Sequence, residues 1–370
     1  MSGASAIAIP ERRAKARERF DARGVPHRRI EEWKYSDLKA VLGEAGMGAV
    51  TAEWLIGNLP FGIELFDLTQ PKPPAWVVAH FGAAADNAMS AASLAQSAGG
   101  VALRVPAGKA VEAPLKLDFT GPGHVRGLLV LEEGASLTLI EGVGPCDFRN
   151  VGLEIVLGPK AVLNHVRVSP AAADSVLVEE IALTAAAHAE YRAHFANFGG
   201  KLSRVELEIA LEGEGAAAHL SGVSVLKDSH ADVTTRMTHA VANTQSTQLF
   251  KHVAGGRGRA VYQGKVIVAK GADGSDSRQT AKALLLGDVA EADLKPELEI
   301  FADDVKCAHG AAVGDLEAEQ MFYLRARGIP EAEARRLLLH AFLEDAIGEV
   351  AEPHRATVRD AVNAALGELA

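Results

Sequence analysis

Between about Val101 and Ala311 the chain alternates short apolar runs with turns, and never holds a 3.6-residue period long enough for a crossover helix. The runs Val101–Val105, Leu115–Phe119, Leu128–Leu131, Leu137–Ile140, Val151–Leu157, Val162–Val168 and Val176–Leu183 read as strands. Glu190–Phe198, Val205–Leu211, Ala216–Val225, Ala231–Thr238 and Val261–Val268 continue the series. A turn followed by a small residue recurs before the strands, with alanines at 135, 161, 189 and 216, spaced 26, 28 and 27 apart. A period near 27 built only from short strands and turns suits one coil of a β-helix or a related β-solenoid. The competing β-sandwich would show more Asn-Gly and Asp-Gly hairpin turns than this region carries.

The flanks follow a helical period. Pro10 opens a helix over Glu11–Arg23 that Gly24 and Pro26 stop, and a second stretch runs from about Glu31 to Leu42 with Trp33, Leu38 and Leu42 as its apolar positions. Pro60 to Pro74 reads as a linker. After Gly314, Ala318, Met321, Phe322, Leu324 and Arg325 lie close along one helix, which Gly328 and Pro330 end. A second helix has Leu337, Leu338, Ala341, Phe342 and Ala346 as its expected inner stripe, and a third buries Val358, Val362, Ala365 and Leu366. The expected division is an N-terminal helical region over 1–75, a β-helix core over 76–311 and a C-terminal helical domain over 312–370.

Composition narrows the function classes. Of 370 residues, 48% are hydrophobic and 23% charged, the mix of a globular protein. With 38 basic against 48 acidic residues, the net charge is −10 and no basic block exists, so nucleic acid is not an expected partner. No apolar run approaches the ~20 residues that span a bilayer. The N-terminus offers no secretory apolar stretch, and Glu11, Glu18 and Asp21 oppose a transit peptide. A cytoplasmic protein with no membrane partner is the expectation.

Common catalytic signatures are missing, including the phosphate-binding Gly-x4-Gly-Lys, His-Glu-x-x-His and Gly-x-Ser-x-Gly. The glycine-rich Gly255–Arg259 stretch and Asp273–Asp276 read as turns, not as anion or calcium sites. Glu206, Glu208, Glu212 and Glu214 are the one acidic set that would suit a polysaccharide-active β-helix, though their alternation fits a solvated strand. Two cysteines, Cys146 and Cys307, are too few for a disulfide framework. Cys307 and His309 are different, because alternate residues on a strand share a face and bring a thiol beside an imidazole. Two ligands do not close a tetrahedral centre, so further ligands would come from elsewhere, such as another chain, and a buried cysteine with a capping histidine remains the competing reading.

Pro296–Ala311, continuing through Val313-Gly314 and Phe322–Ile329, closely resembles the C-terminal core of the SufB/SufD family of iron–sulfur cluster assembly proteins. Thr247–Lys251, Tyr262–Val266, Ala283–Gly287 and the N-terminal Glu32–Tyr35 add to the likeness, which is most specific from about His239 to Phe342. His309-Gly310-Ala311, and Ala281 where SufB-type chains carry a cysteine, make it most similar to the SufD type. The resemblance implies a right-handed parallel β-helix flanked by helices and a non-catalytic scaffold. It implies pairing with a SufB-like paralogue, or a homodimer in isolation, and docking of the ATPase SufC on the C-terminal helices. It also implies that a transient cluster or iron sits at the subunit interface, with none held permanently by this chain. His309 is then the expected metal ligand and Cys307 the second. A polysaccharide-active β-helix and a self-assembling structural solenoid are the alternatives.

Overall fold

Two strands and their turns make one coil, and successive coils stack so that each strand pairs in parallel with the strand two elements later in the chain. The structure is a computed structural model that describes residues 8–48, 52–84, 86–170 and 172–369. Residues 1–7, on which the reading of the extreme N-terminus bears, lie outside the described residues. The chain is mainly β, a parallel β-solenoid of about eight turns flanked by N- and C-terminal helices.

One sheet contains β4 (Leu115–Thr120), β6 (Ser136–Val143), β8 (Val162–Ser169), β10 (Glu190–Asn197), β12 (Ala217–Lys227), β14 (Gln245–Gly255), β16 (Asp276–Leu286) and β18 (Lys306–Gly314). The other contains β3 (Gly100–Val105), β5 (Gly123–Leu131), β7 (Phe148–Leu157), β9 (Ala172–Ala185), β11 (Gly200–Leu211), β13 (His230–His239), β15 (Arg259–Val268) and β17 (Glu291–Ile300). Inward-facing positions of both sheets fill the lumen with one apolar core.

The repeat has a backbone cause. At one corner of successive coils Gly134, Lys160, His188, Gly215, Asn243 and Gly274 all take positive φ, between 57° and 75°. Left-handed backbone is cheapest for glycine and tolerable for asparagine or histidine, so these residue types mark the corner. The residue after each corner turns into the lumen, where Ala135, Ala161, Ala189 and Ala216 are all 0% exposed. Backbone bonds tie the stack together: Glu190 N–H donates to Ala161 O at 2.8 Å and Ala217 N–H to Ala189 O at 2.9 Å.

The two ends of the solenoid differ. At the N-terminal end β1 (Glu53–Ile56) pairs antiparallel with β4, and β2 (Glu64–Asp67) antiparallel with β3. These short strands blunt the edges that a stack of coils would otherwise expose. They fall within the 1–75 stretch expected to be helical and partly within the expected linker. Conversely, α3 (Ala75–His80) and α4 (Ala88–Gln96) precede the first coil, inside the stretch expected to be solenoid, and β18 runs three residues past the expected end at 311. At the C-terminal end β17 and β18 pair on one side only.

The N-terminal segment clamps the outer surface of the second sheet. α1 (Ile9–Arg23) packs on α4, and Asn150 Nδ2 donates to Met89 O at 2.8 Å. The expected helix over 31–42 is instead a 3-10 turn at Glu31–Trp33 followed by α2 (Leu38–Leu42), with Asp37 accepting from the Ala40 N–H as its cap. The Trp33 ring lies 4.2 Å from the Arg204 guanidinium. Arg204 is fully buried and pairs with Asp232 at 2.6 Å.

After β18 come α5 (Ala318–Ala326), α6 (Glu331–Gly348) and α7 (His354–Leu369). Helices α6 and α7 lie on the outer surface of the first sheet, covering Val166, Ala196, Phe198, Val223, Val225 and Val253. In α7 Val358, Val362 and Leu366 are buried, with Ala365 at the margin. The stripe in α6 differs from the one expected: Ala334, Leu339, Leu343, Ala346 and Ile347 are buried, while Leu337 is exposed. Leu337 and Leu338 satisfy the helical period equally well, and the solenoid surface selects a stripe rotated away from them.

Candidate functional site

The site expected from the sequence falls on the last coil. β18 is rich in small residues, Lys-Cys-Ala-His-Gly-Ala-Ala-Val-Gly, and pairs with β16 in the register Ser277↔Cys307, Gln279↔His309 and Ala281↔Ala311. Cys307 packs against the lumen core, so by alternation His309 and Ala311 share its inward-facing side. No later coil closes over them. Lys306 N–H donates to Ser275 O at 2.9 Å, and donors alternate along a parallel strand. The N–H groups of Cys307, His309 and Ala311 therefore face the free edge.

Cys307 is half-buried, and burial pushes its thiol up from the ordinary value. It is a protonated thiol at neutral pH and becomes a ligand only when a metal displaces the proton. His309 is exposed. A neutral imidazole is a ready donor to borderline metals such as iron. Among the described residues no cluster of three or more His, Cys, Asp or Glu could hold a metal ion. The pair can thus offer one or two ligands to a metal or cluster that is cargo, with the rest of the donor set supplied from beyond this chain.

The floor beneath them is polar, which the sequence reading missed. In the two preceding coils, Thr235 donates to Gln248 Oε1 at 2.6 Å and the Tyr262 hydroxyl donates to the same oxygen at 3.0 Å. The rings of Phe250 and Tyr262 lie 4.9 Å apart. Gln279 fills the next layer, directly under His309. A side chain at Gly264 could not coexist with it, since a Cβ there would come within 2.0 Å of Gln279 Nε2. The signal was present in the runs Thr247–Lys251 and Tyr262–Val266, whose alternation turns Gln248, Phe250, Tyr262 and Gly264 inward. Ala281, where a SufB-type cysteine is expected, is a fully buried lumen residue.

Other singled-out residues disperse. Glu206 and Glu208 line one groove and pair with Arg204 at 3.0 Å and Arg236 at 3.7 Å, while Glu214 accepts from Asn243 at a coil corner, so the four do not gather in one cluster. Gly256 turns with φ 58°, and the next N–H is taken by the Asp228 carboxylate, which answers the anion question with an internal anion. Asp273 to Asp276 forms a coil corner.

The helical tail carries a second surface. α5 buries none of its residues; Phe322 is 74% and Tyr323 56% exposed. A groove of about 880 Å³ runs between α5, α6 and the end of β16, lined by Leu286, Leu316, Met321, Phe322, Arg325 and Arg335 among others.

Fold and site together define a parallel β-solenoid capped at one end, which presents an imidazole and a thiol at the other. Residues 121–342 match the family model described as SUF system FeS cluster assembly, SufBD core domain. The chain belongs to the SufBD family. It is 35% identical to the iron–sulfur cluster assembly protein SufD of Escherichia coli over 227 residues, which cover 59% of this chain and 53% of that one. It is 31% identical over 270 residues to a SufBD family protein of Synechocystis, covering 66% and 59%. A Mycobacterium bovis member aligns over 94% of this chain and 89% of its own length at 28% identity. The chain spans little more than half the length of the first two relatives. No helix among the described residues is long and apolar enough to cross a membrane.

Proposed function

We propose that this chain is a SufD-type scaffold subunit for iron–sulfur cluster assembly, in a complex with a SufB-type paralogue and the ATPase SufC, working in the cytoplasm. The family places it in cluster assembly. The observation that supports the finer reading is the asymmetry of the solenoid: one end is capped by antiparallel strands, and the other leaves a bare strand edge beside His309 and Cys307. A bare edge is a template for strand pairing with another chain. Pairing there would bury His309 and Cys307 against the partner, so that a nascent cluster is held by ligands from both subunits. Nothing in this role requires the chain itself to break a covalent bond, and nucleotide hydrolysis falls to the ATPase.

For the ATPase, the reading rests on the exposed aromatics of α5 and the groove beside it, because α6 and α7 spend their apolar stripes on the solenoid. Nucleotide-driven movement of the ATPase would reach the interface through α5, which follows β18 after a three-residue connection.

The test is co-expression with the SufB-type paralogue and the SufC-type ATPase. Ala311→Pro deletes an N–H at the free edge and breaks no bond within this chain, a position where an edge strand tolerates proline. The variant should keep its thermal midpoint and its ATPase while losing the paralogue. Phe322→Asp with Tyr323→Asp should do the reverse. Undiminished paralogue recovery with Ala311→Pro would refute edge pairing, and a homodimer surviving in the presence of the paralogue would favour the self-assembling solenoid.

A further inference from the structure

The lumen layer beneath the open end holds a buried side-chain amide, beside the Tyr262 hydroxyl and Gly264, and the carbonyl oxygen of that amide is left without a partner. Gln279 is 1% exposed, and its Oε1 has no hydrogen-bond partner within the fold. An unmade hydrogen bond at a buried amide costs about 1–3 kcal/mol, so the position calls for a partner. The residue in register with it on the next coil is His309, whose ring makes no hydrogen bond among the described residues.

Elsewhere in this solenoid, on the outer faces of the strands, histidines bond the register partner on the following coil. His124 Nδ1 meets the side chain of its register partner Asn150 at 3.1 Å. His194 Nδ1 meets Ser221 Oγ at 2.8 Å, and His219 Nδ1 meets Thr247 Oγ1 at 2.8 Å. In all three it is Nδ1 that reaches the neighbouring coil, because that atom lies nearer the backbone. Nε2 is left to face away.

The geometry points to Gln279 as the positioning residue for His309: its Oε1 accepts the Nδ1–H, which fixes the tautomer with Nε2 unprotonated and turns that nitrogen toward the open end. A metal-binding imidazole is commonly oriented in this way by an acceptor on its other nitrogen. The inference rests on the proposed role of His309 as a ligand, and it assigns to Gln279 the job of deciding which nitrogen is offered. Gly264 serves the same end by leaving the space that the amide occupies.

The experiment uses the full chain with ring-15N histidine and long-range 1H–15N correlation at mildly alkaline pH. Wild-type His309 should show the Nδ1–H tautomer. Gln279→Leu should shift it to the mixture of a free imidazole, in which Nε2–H dominates, and Gln279→Glu, which keeps an acceptor of the same length, should restore Nδ1–H. Gln279→Asn keeps the lumen polar but is one methylene too short, so it provides the loss of tautomer without an apolar substitution. Unchanged signals from His124, His194 and His219 confirm that each variant folds. Identical His309 tautomers in wild type, Leu and Asn variants would overturn the assignment. In the complex isolated without oxygen, Gln279→Leu should weaken iron retention about 10–100-fold while the paralogue is still recovered. Should His309→Ala leave cluster content intact, the ligand reading falls and the tautomer result stands; a His309-dependent cluster with a Gln279-independent tautomer sinks this inference alone.

Discussion

Lys251 is a polar pin between the helical tail and the solenoid, and Lys251→Met measures how firmly it holds. The side chain sits on β14 with 6% exposure, donating to Phe342 O at 2.6 Å and Asp345 Oδ2 at 2.5 Å, and its ammonium lies 4.9 Å from the Phe342 ring centroid. A hydrogen bond to a charged group contributes about 1.5–3 kcal/mol. The carboxylate is 73% exposed, so its share falls to the surface range of about 0–1 kcal/mol. The ring contact adds about 0.5–2 kcal/mol. Dehydration of the ammonium opposes these gains, and methionine keeps the packing of the stem, which leaves a net loss of about 1–2 kcal/mol. That loss is local to α6, whose main contacts with the solenoid are with β12 and β14. Amide exchange in α6 should therefore accelerate about 5–30-fold, while the lumen strands β9 and β11 keep their protection. Hydrogen exchange read by mass spectrometry resolves the two regions. Unchanged exchange in α6 would refute the pin, and equal acceleration everywhere would refute the separability of tail and solenoid.

Ala189→Leu forces three extra carbons into a corner where Ala161 and Ala216 occupy the adjoining coils, and should destabilise the fold by about 1–3 kcal/mol; an unchanged thermal midpoint would contradict the lumen register. Five buried histidines and the half-buried His230 have pKa values depressed by desolvation: His124, His165, His230, His239 and His252 to about 4 and His194 to about 3. Their folded pKa values lie below the unfolded one near 6.5, so the unfolded chain takes up protons first and stability falls as pH drops from about 6.5 to 4. Buried Glu141, Glu179 and Glu180 are raised and act in the opposite sense, but the histidines outnumber them. His252, with both ring nitrogens unpartnered, isolates the effect: His252→Gln should flatten the decline in thermal midpoint by about one proton's worth, and parallel curves for the two proteins would contradict it.

The solenoid was legible because its corners announce themselves: a residue that tolerates positive φ, then a small one, then an alternating strand. The last two corners, Asn243-Thr244 and Gly274-Ser275, escaped as members of the repeat because a hydroxyl replaces the alanine methyl and the final spacing stretches to 31, though the backbone turns alike. Cys307 and His309 were legible as a same-face pair, since alternation alone places them. Their floor was not, because Gln248 and Gln279 look like surface residues until the stacking of coils turns them inward. The β2 cap was hidden in a stretch whose prolines suggested a linker and β1 lay just before it, and an antiparallel cap of four residues carries almost no periodicity. The inner stripe of α6 depended on the surface it meets, which no helical period specifies.

The central claim is that His309 supplies a ligand at the open end, and its most direct test is cluster content. His309→Ala removes one nitrogen donor from an exposed position and should leave folding, paralogue pairing and ATPase binding intact. Cys307→Ser is the control, exchanging a half-buried thiol for a weak, hard donor of similar size. Iron and acid-labile sulfide, with the visible absorption, are measured on complex isolated without oxygen and normalised to folded protein. The account predicts that cluster content collapses in His309→Ala and falls less in Cys307→Ser; wild-type content in His309→Ala would contradict it and leave this chain a scaffold that holds its partners without touching the cluster.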